Sequence, residues 1–126
     1  MKKEIITIPD APATPYSPAV KAGDFLYVSG QLGIRDRKGN EINDIKGQTR
    51  QCLENIKSIL EKAGLSLDDV IKVTVFLRNM DDFNTMNELF KAYFPHNPPA
   101  RSTAITGLPK PEMLVEIECI AYYPAE

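Results

Sequence analysis

The residues best suited to chemistry lie in the stretch from Pro99 to Tyr123. Arg101 begins one strand-like run and Glu116 lies within a second, and a segment rich in glycine and proline, residues 107–111, joins them. Arginine can hold a carboxylate through two parallel hydrogen bonds, and a glutamate can orient a water molecule and accept its proton. Because glycine and proline punctuate turns, the pattern predicts that the two runs pair as adjacent β-strands.

The second run carries two different faces, because side chains alternate along a β-strand. One face is plain core, and the other mixes carboxylates with large apolar groups: Leu114, Glu116, Glu118 and Ile120. Two interpretations stay open. The acids are solvated on a half-exposed face, or Glu116 lies at the margin of an apolar surface, where a carboxylate is useful to chemistry.

Composition predicts a single soluble domain over residues 1–126, since the chain is 43% hydrophobic and 25% charged. The net charge is −2 and consecutive basic residues occur only as pairs, such as Lys2-Lys3 at the terminus, so nucleic acid is not an expected partner. No apolar run approaches membrane-spanning length, and no signal-peptide core follows the first three residues. We therefore expect a cytoplasmic protein with no membrane partner.

Cysteine and histidine usage argues against a metal site or a disulfide framework. Cys52 and Cys119 are far apart and lie on apolar faces, which predicts buried thiols. His96 is the single histidine and follows Pro95, so an exposed loop residue is the favoured interpretation and a general base is the other. We expect neither a metal nor a cofactor.

The order of predicted elements is ββ-α-β-α-ββ, an α+β fold with a mixed sheet. Strands are expected at residues 3–8 and 25–29, a helix from about Ile45 to Ala63, a strand at 70–77 and a second helix that ends at Pro95. Gly30 indicates a bulge or a close backbone approach after the second strand.

Between the first two strands, Asp10 to Pro18 is rich in proline and predicts a stiff loop that presents Tyr16 in a defined direction. Tyr16 either binds a ligand or packs over a hydrophobic edge. If both helices lie on one face of the sheet, the other face exposes Phe76, Leu114 and Ile120. A contiguous apolar patch marks an interface, so we expect further copies of the chain to cover it in a cyclic assembly.

The sequence resembles the Rid family (RidA-type, YjgF-like proteins) over essentially its whole length. The resemblance depends on segments that occur in this order: Pro15-Tyr16-Ser17, Val28-Ser29-Gly30-Gln31, Thr49-Arg50-Gln51, Asn55-Ile56-Lys57, Thr74-Val75-Phe76-Leu77, Pro99-Ala100-Arg101-Ser102 and Val115-Glu116-Ile117-Glu118. It implies a chorismate-mutase-like fold with two helices on one face, and a homotrimer with clefts between subunits. The implied activity is hydrolysis of enamines and imines, such as 2-aminoacrylate/2-iminopropanoate and 2-iminobutanoate, to 2-keto acids and ammonia.

The resemblance also implies roles for individual residues. Arg101 would bind the substrate carboxylate, Glu116 would orient or activate water, and Thr103 would contribute its hydroxyl or backbone groups. The remaining implied substrate-binding residues are Tyr16, Ser29, Gly30 and Asn87. Structural interpretations stay open beside these: Arg101 as an ion partner of Glu116 or Glu118, Asn87 as a backbone hydrogen-bonding residue, and Ser29 as a tolerated small residue.

The chain departs from the family pattern at three places. Thr103 replaces the usual cysteine, Thr14 replaces the usual glycine before the Pro-Tyr pair, and residues 105–108 differ from the commonest pattern. Regulation through the site thiol is therefore not expected, and the subgroup and preferred substrate stay open. Two other functions remain alternatives: an endoribonuclease or translation inhibitor, and a non-catalytic regulatory trimer that binds small carboxylates.

Overall fold

Two helices cover one face of a six-stranded sheet in the computed structural model, which describes residues 2–9 and 11–125. The elements are β1 (Glu4–Ile6), β2 (Ala19–Ala22), β3 (Phe25–Leu32), α1 (Ile45–Lys62), β4 (Val70–Leu77), α2 (Phe83–Tyr93), β5 (Ala100–Ile105) and β6 (Val115–Tyr122). The predicted α+β fold is confirmed. Asp10, where the predicted proline-rich loop begins, lies outside the described residues, as do Met1 and Glu126.

Both helices form where apolar side chains recur at helical spacing. The buried face of α1 packs on the sheet through Gln48, Thr49, Cys52, Leu53, Ile56, Ile59 and Leu60. The helix ends before Gly64, whose φ of 81° lies in the left-handed region that glycine adopts without strain. A 3₁₀ turn at Met80–Asp82 leads into α2, which ends before Pro95 as predicted.

The sheet order is β1-β2-β3-β6-β4-β5, with β4 and β5 parallel and the other pairs antiparallel. The predicted pairing of the Arg101 strand with the Glu116 strand is therefore wrong, because β4 lies between them. Alternate residues of β6 are fully buried, from Val115 to Ala121, whereas β5 is largely exposed. The more apolar strand thus takes the central position, and β5 forms the edge of the sheet.

Local features of four strands differ from the prediction or refine it. Strand β1 is shorter than expected, and β2 was not predicted, since its four residues form no extended β-rich run. In β4 a register irregularity lies between Val70 and Lys72, and Val70 is buried whereas Ile71 is exposed. The predicted bulge at Gly30 is confirmed by a register shift between Val28 and Gln31.

The face of the sheet opposite the helices is apolar and open. It carries exposed large side chains on neighbouring strands: Ile5, Phe25, Tyr27 and Tyr122. Phe76 and Ile120 lie on the same face and are half-buried. An apolar sheet face is therefore present as predicted, and its cover by further copies remains a prediction.

Both cysteines are buried free thiols, as predicted. Burial, with the nearby Glu118 carboxylate, raises the pKa of Cys119 to about 12, so this thiol stays protonated at neutral pH. His96 is exposed in the loop after α2. Among the described residues, no helix combines the length and apolar character needed to cross a membrane.

Candidate active site

Arg101 lies on an aromatic platform formed by α2. It is the second residue of β5 and pairs with the buried Val73, so its side chain is on the helix side of the sheet. The guanidinium carbon lies 4.8 Å from the centre of the Phe90 ring and 5.6 Å from that of Phe83. Burial lowers the pKa of Arg101, yet arginine stays protonated in proteins, so these contacts orient a permanent cation.

No carboxylate neutralises this cation within residues 2–9 and 11–125, where the one ion pair is Arg35–Glu41. One structural interpretation required Arg101 to pair with Glu116 or Glu118. Within a single chain it pairs with neither. Arg101 donates a weak hydrogen bond from Nη1 to the sulfur atom of Met86, at 3.9 Å. Guanidinium donors that no described carboxylate uses are thus free to bind an anion.

Thr103 and Asn87 lie near Arg101, and we call these three residues the arginine half. Thr103 follows Arg101 by two residues on β5, so its side chain is on the same face. Asn87 is four residues after Phe83 and three before Phe90, which places it on the same side of α2. The Asn87 side chain makes no hydrogen bond to any other described residue. The structure therefore does not show the backbone hydrogen bond that was the alternative role for Asn87.

Glu116 lies on the opposite, open face of the sheet, where it pairs with Phe76 of β4 and Leu32 of β3. Burial and, secondly, the neighbouring Glu118 raise the pKa of Glu116 above its ordinary value. Gly30 packs against this carboxylate so closely that a Cβ atom at position 30 would collide with it. The glycine in the bulge therefore makes room for the Glu116 carboxylate.

Ser29 ties the tyrosine loop to the bulge. Its N–H donates to the Pro18 carbonyl at 2.9 Å, and its hydroxyl donates to the Ser17 carbonyl. Tyr16 is 60% exposed, which leaves its ring available to a ligand or a second copy. Tyr16 and Gly30 border a groove of about 440 Å³ whose other walls are mostly apolar. We call Tyr16, Ser29, Gly30 and Glu116 the acid half.

The two halves lie on opposite faces of one sheet. Arg101 is on the side of the helices, Glu116 is on the open side, and strand β4 separates their strands. The sequence predicted both residues but placed them on adjacent strands, where they would meet within one chain. A site that uses both needs a second copy of the protein.

Three polar residues that hold the site's backbone were not predicted. Arg78 donates from Nε to the Met113 carbonyl at 2.8 Å and from Nη2 to the Lys110 carbonyl at 2.7 Å, which fixes the connection between β5 and β6. Gln48 and Asn55 of α1 also hydrogen-bond backbone groups. The available signal was Gln48 itself, a polar residue in the apolar stripe of α1. Within the described part of the chain, no cluster of metal-ligating side chains occurs.

Comparison with known proteins gives consistent matches over almost the whole chain. A family model described as Endoribonuclease L-PSP matches residues 7–123. A RutC family protein of Pyrococcus horikoshii is 53% identical, covering 95% of this chain and 98% of the relative. The 2-iminobutanoate/2-iminopropanoate deaminase of Salmonella typhimurium is 42% identical, covering 96% and 98%.

The fold also matches a solved structure at the level of the whole chain. The crystal structure of RidA from the Antarctic bacterium Psychrobacter sp. PAMC 21119 superposes with a TM-score of 0.85 at 43% identity, covering 94% of this chain and 98% of that one. Identity of this extent over nearly all of both chains confirms the resemblance found in the sequence. The chain therefore belongs to the Rid family, whose family model is described as Endoribonuclease L-PSP.

Proposed function

We propose that this protein hydrolyses reactive 2-imino acids and their enamine tautomers, such as 2-iminopropanoate and 2-iminobutanoate, to 2-keto acids and ammonia. The observation that carries the proposal is the guanidinium of Arg101, oriented by two aromatic rings and unpaired among the described residues. The name of the Salmonella relative supports this substrate class.

Arg101 binds the substrate through its carboxylate in this proposal. The planar guanidinium forms two parallel charge-assisted hydrogen bonds with a carboxylate, a geometry that lysine cannot reproduce. Because Phe83 and Phe90 restrict the guanidinium, the substrate's C2 atom is held in a defined position beside it. Thr103 and Asn87 lie on the same side and shape the pocket.

Glu116 handles the protons of the reaction. The raised pKa of its carboxyl lies closer to neutrality, which makes the carboxylate a better base for water. Water attacks C2 of the protonated imine while Glu116 accepts a proton, and a tetrahedral carbinolamine forms. Glu116 then passes this proton to the nitrogen, and it takes the hydroxyl proton of the carbinolamine as the C–N bond breaks and the C2 carbonyl forms. The departing ammonia removes that second proton as ammonium and so restores the carboxylate. No step requires a metal or a cofactor.

The site is completed between copies of the chain. The open apolar face carries Phe25, Tyr27 and Tyr122 and would be buried in the expected homotrimer. Such an assembly brings the acid half of one copy to the arginine half of the next, which a single chain keeps on opposite faces. Tyr16, exposed at the edge of the acid half, would then cover the bound substrate.

A coupled assay tests the proposal. A threonine dehydratase supplies 2-iminobutanoate, and the appearance of 2-ketobutanoate and ammonia is timed with and without the protein. We expect the protein to accelerate product release, and Arg101→Lys, which keeps the charge but loses the planar fork, to accelerate it far less. Release at the spontaneous rate would contradict the proposal, and binding of 2-ketobutanoate without acceleration would indicate a non-catalytic carboxylate-binding protein.

RNA cleavage is the second candidate, because the matching family model is described as an endoribonuclease. The net charge of −2 and the single histidine disfavour it, since RNA cleavage needs contacts to phosphates and groups that move protons. Incubation of single-stranded RNA with the wild-type protein and with Arg101→Ala decides the matter. Cleavage that needs Arg101 would support this candidate over the deaminase.

A further inference from the structure

A row of three polar side chains runs along the face of α1 that packs on the sheet. Gln48, Cys52 and Asn55 are spaced by four and then three residues, so they lie above one another on one side of the helix. The rest of that face is almost entirely apolar. Each of the three hydrogen-bonds backbone groups of the loops or strands beneath it.

Gln48 binds the segment that leads into β6. Its Nε2 donates to the Ile42 carbonyl at 2.8 Å and to the Glu112 carbonyl at 2.9 Å, and its Oε1 accepts from the Leu114 N–H at 2.9 Å. The side chain is fully buried, so each of these bonds would be costly to lose. Leu114 lies two residues before Glu116, and the buried amide therefore fixes the backbone that presents this carboxylate.

Cys52 and Asn55 bind the end of β3. The thiol of Cys52 donates to the Gln31 carbonyl at 3.2 Å, and Nδ2 of Asn55 donates to the Leu32 carbonyl at 3.0 Å. Gln51 donates to Oδ1 of Asn55 at 2.8 Å, which sets the orientation of the Asn55 amide. Both carbonyls belong to the two residues that directly follow Gly30 in the bulge.

The bulge needs such partners because β2 pairs with β3 only as far as Val28 in the described structure. Beyond Val28, that edge of β3 continues with the bond from the Ser29 N–H to the Pro18 carbonyl rather than with a strand ladder, and a buried backbone group left unpaired is costly. Leu32 pairs with Glu116 across the two strands, and Gly30 packs on the carboxylate of Glu116. The polar row therefore holds the end of β3, which packs against Glu116, and the start of β6, which carries Glu116.

We propose that Gln48, Cys52 and Asn55 are positioning residues of the candidate site: they hold the bulge of β3 and the start of β6 so that the Glu116 carboxylate stays against Gly30. This inference rests on the proposed function for its kinetic consequence and on the geometry alone for its structural one. In this proposal the three residues act through the backbone and do not touch the substrate.

Asn55→Ala tests the proposal, since Asn55 is only half-buried and its loss leaves the apolar core intact. We expect kcat to fall about tenfold with KM changed less than twofold, because Glu116 is displaced while Arg101 still binds the substrate. The carboxyl titration of Glu116, followed by ¹³C NMR, should shift toward the ordinary glutamate pKa as water reaches it. A purely structural role would lower the melting temperature without moving that titration.

Ser58→Ala is the matched control, because Ser58 lies on the same helix three residues beyond Asn55 and binds no sheet carbonyl. It should leave both kcat and the Glu116 titration unchanged. If Asn55→Ala does not fold, Asn55→Asp keeps the side-chain size and, when ionised, offers no proton to the Leu32 carbonyl. A folded variant at position 55 with an unchanged Glu116 titration would overturn the proposal. An inactive wild-type protein would overturn only the proposed function, because the NMR titration still tests the positioning.

Discussion

The guanidinium of Arg101 contacts aromatic rings rather than a carboxylate or backbone carbonyls, which suits the carboxylate-binding role proposed for it. Arg78, in contrast, uses its guanidinium donors within the fold, because they bond the carbonyls of the β5–β6 connection. Arg101 keeps donors for an external anion, and a cation on aromatic rings holds its direction before the ligand arrives.

Replacing Arg101 by alanine should leave a folded protein and lower kcat/KM by about a hundredfold, equivalent to about 3 kcal/mol, because a charge-assisted bidentate pair is lost. Steady-state kinetics with 2-iminobutanoate measures the loss, and circular dichroism checks the fold. Full activity of the variant would remove the arginine from the mechanism.

The pH dependence of kcat should report the ionisation of the Glu116 carboxyl group. Its pKa is raised by burial and by Glu118, and the base must be ionised to accept a proton from water. Activity should therefore rise with pH through a midpoint above the usual glutamate value and then level off. In Glu116→Gln this rise should disappear, with turnover slowed and binding of 2-ketobutanoate retained. A parallel loss of binding would show that Glu116 positions the substrate instead.

Among the elements, the β3 bulge is where a glycine makes room for the Glu116 carboxylate. Gly30→Ala should lower kcat/KM at least about tenfold, since the new methyl group would collide with the Glu116 carboxylate and either that side chain or the bulge must move. Gly107→Ala is the matched control, because a Cβ atom there meets nothing within 4 Å. Equal activity of the two variants would show that the contact between Gly30 and Glu116 has no catalytic importance.

Local sequence patterns predicted the elements well, and they failed where distant residues compete for position. The apolar stripe of α1, the stop at Gly64 and the bulge at Gly30 are short-range features. The neighbour of β5 is not such a feature. Strand β6 lies beside β4 because burying its alternating apolar residues stabilises the centre of the sheet. The glycine- and proline-rich connection between β5 and β6 carries no information about which strand lies beside β5.

The same limit applies to the candidate site. Residue types and the resemblance identified Arg101 and Glu116, whereas their position on opposite faces follows from the strand order. Ser29 appeared to be either a site residue or a tolerated small one, and the structure shows it bonding the loop of Tyr16. Its hydroxyl depends on a carbonyl contributed from twelve residues away, which no local pattern encodes.

For the whole molecule, the open apolar face and the divided site have one common explanation. Large side chains such as Tyr27 and Tyr122 are exposed on a sheet face that a second copy would bury. The same association would bring an acid half to an arginine half. The assembly and the chemistry are thus predicted to depend on each other, so dissociated copies should be inactive.

Complementation between two impaired variants tests this account most directly. Arg101→Ala and Glu116→Gln are unfolded together in equal amounts, refolded, and assayed beside each variant refolded alone. If neighbouring copies contribute Arg101 and Glu116, random association makes about one site in four intact, and about a quarter of the wild-type activity should return. If one chain supplied both residues, no site would hold an intact pair, and a mixture no more active than its separate components would contradict the account.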